Sequence, residues 1–307
     1  MASSSPRQPA PEVVALFGPT ASGKTAVAEH LIAPLDARPI SADSAALYAG
    51  LPVLTAAPPY PTDLVGIVPL SDRVSVGDYQ RLAHTAIDCA IAEGKRALVL
   101  GGTGLYLRAA LSDLALAPPP PPGERERWEA VYRELGPEGA HALLAERDPS
   151  AAARVHANDR KRIVRALELT AAQSSLAPAR DDLWGGEFRR PTLLVAVDLP
   201  LEVLDRRIEA RTAALAANGA AAEARRAWAG PLSATAAKVL GLEAFATLPE
   251  DDAIAAVAAA TKRLARYQRK WLRRLPGVVT LDGDRPAEEI ADEIVALERA
   301  GERLPRH

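Results

Sequence analysis

The residues best equipped for chemistry stand between Gly18 and Thr25, where Gly-Pro-Thr-Ala-Ser-Gly-Lys-Thr fits the spacing G-x-x-x-x-G-K-[ST]. A glycine-rich turn between a strand and a helix points several backbone N–H groups at one place and forms a nest for phosphate oxygens. Lys24 adds a mobile positive charge, and the Thr25 hydroxyl is a ligand suited to Mg2+. Gly18, Thr20, Ala21, Ser22, Gly23, Lys24 and Thr25 are therefore candidates for binding a polyphosphate. Two further turns carry polar groups after β-type runs: Asp43-Ser44 after Arg38–Ala42, and Gly101-Gly102-Thr103-Gly104 after Ala97–Leu100. Asp43 reads either as a general base or as a turn and capping residue. Thr103 stands where a helix begins, so its hydroxyl and nearby N–H groups suit a second anionic group.

These turns need a scaffold that brings them together. Val13–Phe17 is a continuous, β-branched run of the kind that forms a strand buried on both faces. Helical spacing follows at Gly23–Leu31 and at Val76–Glu93, where Gly94 closes the helix. Residues 45–70 are rich in proline and read as loop. Strand-type runs return at Thr192–Val197 and Val278–Leu281, and a last helix is expected over Pro286–Arg299. Alternating strands and helices predict an α/β fold, a doubly wound parallel sheet with helices on both faces. Ligands in such sheets bind beyond the carboxyl ends of the strands, which is where all three loaded turns fall.

The alternation breaks at residues 117–123, which hold five consecutive prolines and read as a stiff hinge. Only helical patterns follow, with Trp128, Val131, Tyr132 and Leu135 on one face and Asn158 placed to cap a helix from Asp159. The expected organisation is a flexible tail over 1–11, a core from 12–117 and 186–307, and an inserted all-helical domain over 118–185.

Among 307 residues the 37 basic side chains nearly balance the 39 acidic ones, so a nucleic-acid partner has to be met by a local basic surface. Two such clusters occur: Arg160-Lys161-Arg162 with Arg165 in the insertion, and Lys262-Arg263, Arg266, Arg269-Lys270 and Arg273-Arg274 on the long helix from Asp251 to Leu275. Each reads equally as a solvated helix face. Along the same helix Leu264, Gln268, Trp271 and Leu275 form an apolar stripe. Cys89 is the single cysteine and is expected in the core; with no partner for a disulfide, a reducing cytoplasm is expected. No run of 18 apolar residues predicts a membrane span. The third strand ends in Gly-Gly rather than an acidic residue that would organise Mg2+ and water, which weakens a nucleotide-hydrolase reading.

Together the motifs resemble the tRNA dimethylallyltransferase (tRNA isopentenyltransferase) family, from about residue 12 to about 282. The segments that carry the resemblance are GPTASGKT at 18–25, ISADSAALYAG at 40–50, GGTGLY at 101–106, RVHANDRKRIVRALEL at 154–169, RIEAR at 207–211 and RYQRKWLRR at 266–274. The resemblance implies a P-loop core with dimethylallyl diphosphate in the phosphate loop and Mg2+ on its oxygens, Thr25 being the protein ligand. The acceptor would be N6 of the adenosine 3′ of the anticodon in tRNA. Asp43 would be the base on that amine, Thr103 would bond near the reacting centre, and Lys24 and Arg211 would neutralise departing diphosphate. Contacts to tRNA would come from Asp43, Ser44, Ala45 and Ala46, from Lys161, Arg162 and Arg165, and from Arg266, Gln268, Arg269 and Arg273. Ala57 replaces a lysine usual in the family, and Leu242 and Glu243 replace an aromatic and a basic residue. Without a heptad run, a monomer is expected. Rival readings are a P-loop small-molecule kinase and an isopentenyltransferase acting on free adenine nucleotides.

Overall fold

The computed structural model describes residues 10–116, 119–176 and 187–300. Most of the expected tail, the Ala117-Pro118 start of the proline hinge and most of the segment before Thr192 lie outside the described residues. The strands are β1 (Val13–Phe17), β2 (Ala37–Ser41), β3 (Arg96–Gly101), β4 (Thr192–Asp198) and β5 (Val279–Asp282). All pair in parallel in the order β2-β3-β1-β4-β5. Every residue of β1 is buried, as a central parallel strand covered on both faces requires. Phe17 lies level with Gly101, and β1 and β3 both end there, whereas β4 runs two residues past Ala196, the partner of Phe17 on the other side. The turns after β1 and β3 thereby become neighbours in space.

The helices are α1 (Lys24–Ile32), α2 (Pro52–Thr55), α3 (Val76–Ala92), α4 (Gly104–Leu111), α5 (Glu124–Arg147), α6 (Pro149–Ala152), α7 (Arg160–Ala171), α8 (Leu201–Ala217), α9 (Ala220–Trp228), α10 (Leu242–Thr247), α11 (Glu250–Leu272) and α12 (Ala287–Ala300). One face of the sheet packs Val14, Leu16, Leu98 and Val195 against Val27 and Leu31 of α1 and Ile290 and Ile294 of α12. A second core gathers α2, α9, α10 and the start of α11 around Leu54, Ala224, Leu242, Phe245 and Val257. Pro39 sits on the edge strand β2, where a missing N–H is tolerated, and its carbonyl accepts from Asp63 N at 2.9 Å.

The described residues form two compact units, one within 1–113 and 183–307, the other within 114–182. The second unit is helical. Its core is Trp128, Tyr132, Leu144, Ile163 and Leu167, and α5 bends at Gly136 (φ 68°), just before Pro137.

Three local expectations need correction. The loop-rich stretch 45–70 contains α2, whose two free backbone N–H groups are taken by a distant carboxylate, Glu223, at 3.0 and 2.7 Å. Asp159, not Asn158, caps α7, accepting from Arg162 N at 3.2 Å. Cys89 is exposed on the solvent side of α3 rather than in the core. Asp198, the last residue of β4, pairs with Arg269, and the residue before α8 is Pro200.

Candidate active site

The phosphate loop has the backbone that its sequence demands. Gly18 has no room for a side chain: a Cβ there would lie 2.5 Å from Val197 O and 2.8 Å from Ser22 Oγ. Gly23 takes φ 93° immediately before α1, a region that favours glycine. No acidic residue occupies the first turn of α1, so the positive end of its dipole faces the loop uncompensated. Lys24 Nζ folds back onto Pro19 O at 2.7 Å and Ser22 Oγ at 3.4 Å. Thr20 is held by its side chain, Arg211 donating to its hydroxyl at 2.9 Å.

Above the carboxyl ends of the strands lies a cavity of about 420 Å³. Thr20, Asp43, Ser44, Ala45, Thr103, Arg211 and Gln268, all singled out in the sequence, line it together with Tyr48, Tyr106, Leu47, Leu215, Thr235 and Lys238. Polar groups such as Thr20, Asp43, Arg211 and Lys238 share the lining with the apolar side chains of Leu47, Leu54, Leu215, Val239 and Val257. A pocket of this size with a few convergent polar groups suits a small organic group joined to an anionic one.

Asp43 is half-buried, and one carboxylate oxygen accepts from Ala45 N at 2.8 Å, which fixes the side chain in its turn. Thr103 occupies the residue before α4 in extended backbone and makes no cap hydrogen bond with its hydroxyl. The turn that carries it is tight on both sides. A Cβ at Gly101 would lie 2.6 Å from Ala42 O, beside Asp43, and one at Gly104 would lie 2.1 Å from the Trp271 ring.

The site is electropositive and dry enough to perturb its cations. Burial pulls the Lys24 ammonium down to about 7, the positive Arg211 adds to this, and Asp43 partly opposes it. Arg211 is lowered too, by burial, against the pull of Asp43. Burial pushes Tyr106 up to about 12, with Tyr48 and Asp43 contributing, so its hydroxyl stays protonated in the pocket wall. An anion entering here would meet two cations whose charged forms are destabilised until it arrives.

For a metal, no group of three His, Cys, Asp or Glu among the described residues could hold an ion alone. Thr25 is exposed at the second residue of α1, and its carbonyl accepts from the Tyr60 hydroxyl at 3.0 Å. One hydroxyl beside a seat for phosphate oxygens fits Mg2+, which keeps several waters and takes few protein ligands.

The residues expected to meet RNA divide unevenly. Ala46 is buried and faces the core, so its side chain is not a surface contact. Gln268 is buried as well, and its amide oxygen is occupied by the phosphate loop. On α11, Arg266 is paired with Asp205 at 2.7 Å and Arg269 with Asp198 at 2.8 Å, while Arg273 is exposed. In the helical unit, Lys161 and Arg162 are exposed at the start of α7. Arg165 is mostly covered and is bound at 3.0 Å to the buried carboxylate of Glu168. Tyr48 and Tyr106 lie within the motifs at 40–50 and 101–106 but no spacing marks them or the aliphatic side chains as pocket lining; they come from α2, α4, α8, α11 and two loops.

A family model described as IPP transferase matches residues 46–275. A tRNA dimethylallyltransferase of Kineococcus radiotolerans is 38% identical over an alignment that spans 97% of this chain and 98% of that protein. Among solved structures, the full-length tRNA isopentenylpyrophosphate transferase of Bacillus halodurans is 26% identical, with a TM-score of 0.65 over 94% of this chain and 97% of the other. A eukaryotic dimethylallyltransferase caught acting on tRNA superposes with a TM-score of 0.73 over 95% of this chain and 82% of its own, at 20% identity. At that identity the likeness concerns the fold.

Proposed function

The chain belongs to the IPP transferase family of tRNA dimethylallyltransferases, and on that premise we propose how its own residues carry out the reaction. The enzyme transfers a dimethylallyl group from dimethylallyl diphosphate to N6 of an adenosine in tRNA and releases diphosphate. In our reading the adenosine is the one 3′ of the anticodon.

In the proposed mechanism diphosphate sits in the Gly18–Thr25 loop, with the five-carbon chain directed into the cavity. The N6 lone pair attacks C1 of the allyl group while the bond from C1 to the diphosphate oxygen breaks. Negative charge accumulates on the leaving group, and preorganised cations are most valuable where charge develops in a site shielded from water. Lys24 and Arg211 supply them. Asp43 accepts the N6 proton, an exocyclic amine being too weak a nucleophile to react well without proton removal. Thr103, across the pocket, orients the amine through its hydroxyl. When bound, Mg2+ adds positive charge on the diphosphate oxygens, with Thr25 as its protein ligand. The adenine has to leave its stack to enter a cavity of this depth.

The exposed Arg273 and Lys161 are offered to an anticodon arm, as is Arg162, which also pairs with Asp159 at 3.7 Å. Arg266 and Arg269 exchange carboxylate partners for phosphates when RNA binds. The inserted unit is assigned to the anticodon arm, the working form to a monomer and the compartment to the cytoplasm. The observation that carries the reading is that Asp43, Thr103 and Arg211 line one cavity with the phosphate-loop residue Thr20. A kinase would use the same loop but has no need of the apolar side chains of Leu47, Leu54, Leu215, Val239 and Val257 in the cavity beside it.

The test is purified protein with Mg2+ and dimethylallyl diphosphate, offered an anticodon stem-loop in one tube and AMP in another. Mass spectrometry should find one added five-carbon unit on the RNA. Phosphate transfer from ATP with unmodified RNA would overturn the reading, and product on AMP alone would move it to the free-nucleotide enzymes.

A further inference from the structure

Gln268 is a long polar side chain that the fold buries: it is 4% exposed, on the inner face of α11. Its amide reaches two different turns. Oε1 accepts from Thr20 N at 2.8 Å, a contact between residues 248 positions apart. Nε2 lies so close to the other turn that a Cβ at Gly102 would stand 2.5 Å from it. Thr20 is thereby held through both of its polar groups, its N–H by Gln268 and its hydroxyl by Arg211. One helical turn further along α11, the Trp271 ring closes against Gly104. α11 thus grips the chain on both sides of Thr103.

Burying a primary amide is unfavourable unless its groups are satisfied, and an apolar residue would fill the same space without that cost. What the amide adds is a fixed distance. It accepts from the phosphate loop at Thr20 and packs against Gly102, so one buried side chain stands between the two turns that follow neighbouring strands.

We propose that Gln268 is a positioning residue for the transfer reaction, holding the leaving-group seat at Thr20 in register with the Thr103 turn. The inference rests on reading Gly18–Thr25 as the diphosphate seat. It differs from an RNA contact, because the side chain is buried, its amide oxygen is spent inside the protein and the Thr20 N–H is withheld from ligand. A displacement of about 1 Å between reacting groups is enough to cost about 100-fold in rate.

The test uses the full chain carrying Gln268→Met, which keeps the length of the side chain and loses both hydrogen-bonding groups, and Gln268→Asn, which keeps the amide but is one methylene short. Four quantities are read: the thermal midpoint, affinity for an anticodon stem-loop, affinity for inorganic pyrophosphate with Mg2+, and kcat against KM for the stem-loop. Parental turnover of the unmutated protein checks the diphosphate-transfer reading separately, and pyrophosphate affinity reports on Gln268 even without turnover. In both variants kcat should fall about 10- to 100-fold and pyrophosphate affinity about tenfold. Stem-loop affinity and KM should stay within about twofold, as for a group that touches no RNA. Weakened stem-loop binding with parental pyrophosphate affinity and kcat would overturn the proposal and make Gln268 an RNA contact. Parental values throughout would overturn it too. Should Gln268→Met lose its cooperative unfolding transition, Gln268→Asn decides by the same criteria.

Discussion

The lowered Lys24 ammonium gives the site a signature in protons. In the free protein burial and Arg211 bring Lys24 to about 7, so at pH 8 only about a tenth of it is charged. A diphosphate in the loop places negative charge beside it. One pair of opposite charges about 4 Å apart is worth about 4 kcal/mol at an effective dielectric of about 20. At about 1.4 kcal/mol per pKa unit this carries Lys24 to about 10, close to its ordinary value. Binding at pH 8 should therefore take up about 0.9 proton per site. The sign follows: Lys24 holds more protons in the complex than in the free protein between about 7 and about 10, so its contribution to affinity falls with rising pH in that window and is flat below it. Calorimetric titration with magnesium pyrophosphate at pH 8, in buffers of different ionisation enthalpy, measures the uptake directly. Lys24→Met is the reference, because it removes the lysine's share and leaves that of the ligand. Equal proton counts in the two proteins would refute the reasoning.

Three further predictions follow from the geometry. Asp43→Asn should fold and bind the stem-loop like the parent while turnover falls about 10²- to 10⁴-fold, the range of general-base catalysis, and single-turnover kinetics would check it. Gly104→Ala drives a methyl group into the Trp271 ring, so urea unfolding should show a loss of about 1–3 kcal/mol, partly recovered by adding Trp271→Leu. Arg266→Ala and Arg269→Ala should each lower the slope of log affinity for the stem-loop against log salt by about one. Neither should change it if their carboxylate partners, Asp205 and Asp198, stay bound in the complex.

Much of this molecule could be read along the chain because its signals are local. The apolar run of β1, the glycines of the phosphate loop and the helical spacing of α3 act within a few residues of one another, and all three appear where expected. The parallel sheet followed from alternation, and the order of six motifs carried the family.

What the chain order could not supply were contacts between residues far apart in it. Gln268 lay on a stripe with Leu264, Trp271 and Leu275, yet its partner Thr20 is 248 residues away. Arg211 and Thr20 meet across 191 positions, and Glu223 reaches back 169 to hold α2 at Leu54. Basic residues on α11 looked free in sequence because Asp198 and Asp205, which pair with Arg269 and Arg266, belong to β4 and α8. Cys89 sat in an apolar-periodic segment, but only the packing of α3 decides which side of that helix meets solvent. The sequence by itself determined the backbone of the Gly18–Thr25 loop and the sheet, since backbone preferences and hydrophobic period are properties of short segments. The tertiary structure decided which side chains close the pocket around that loop, because burial and ion pairing depend on what the fold brings alongside.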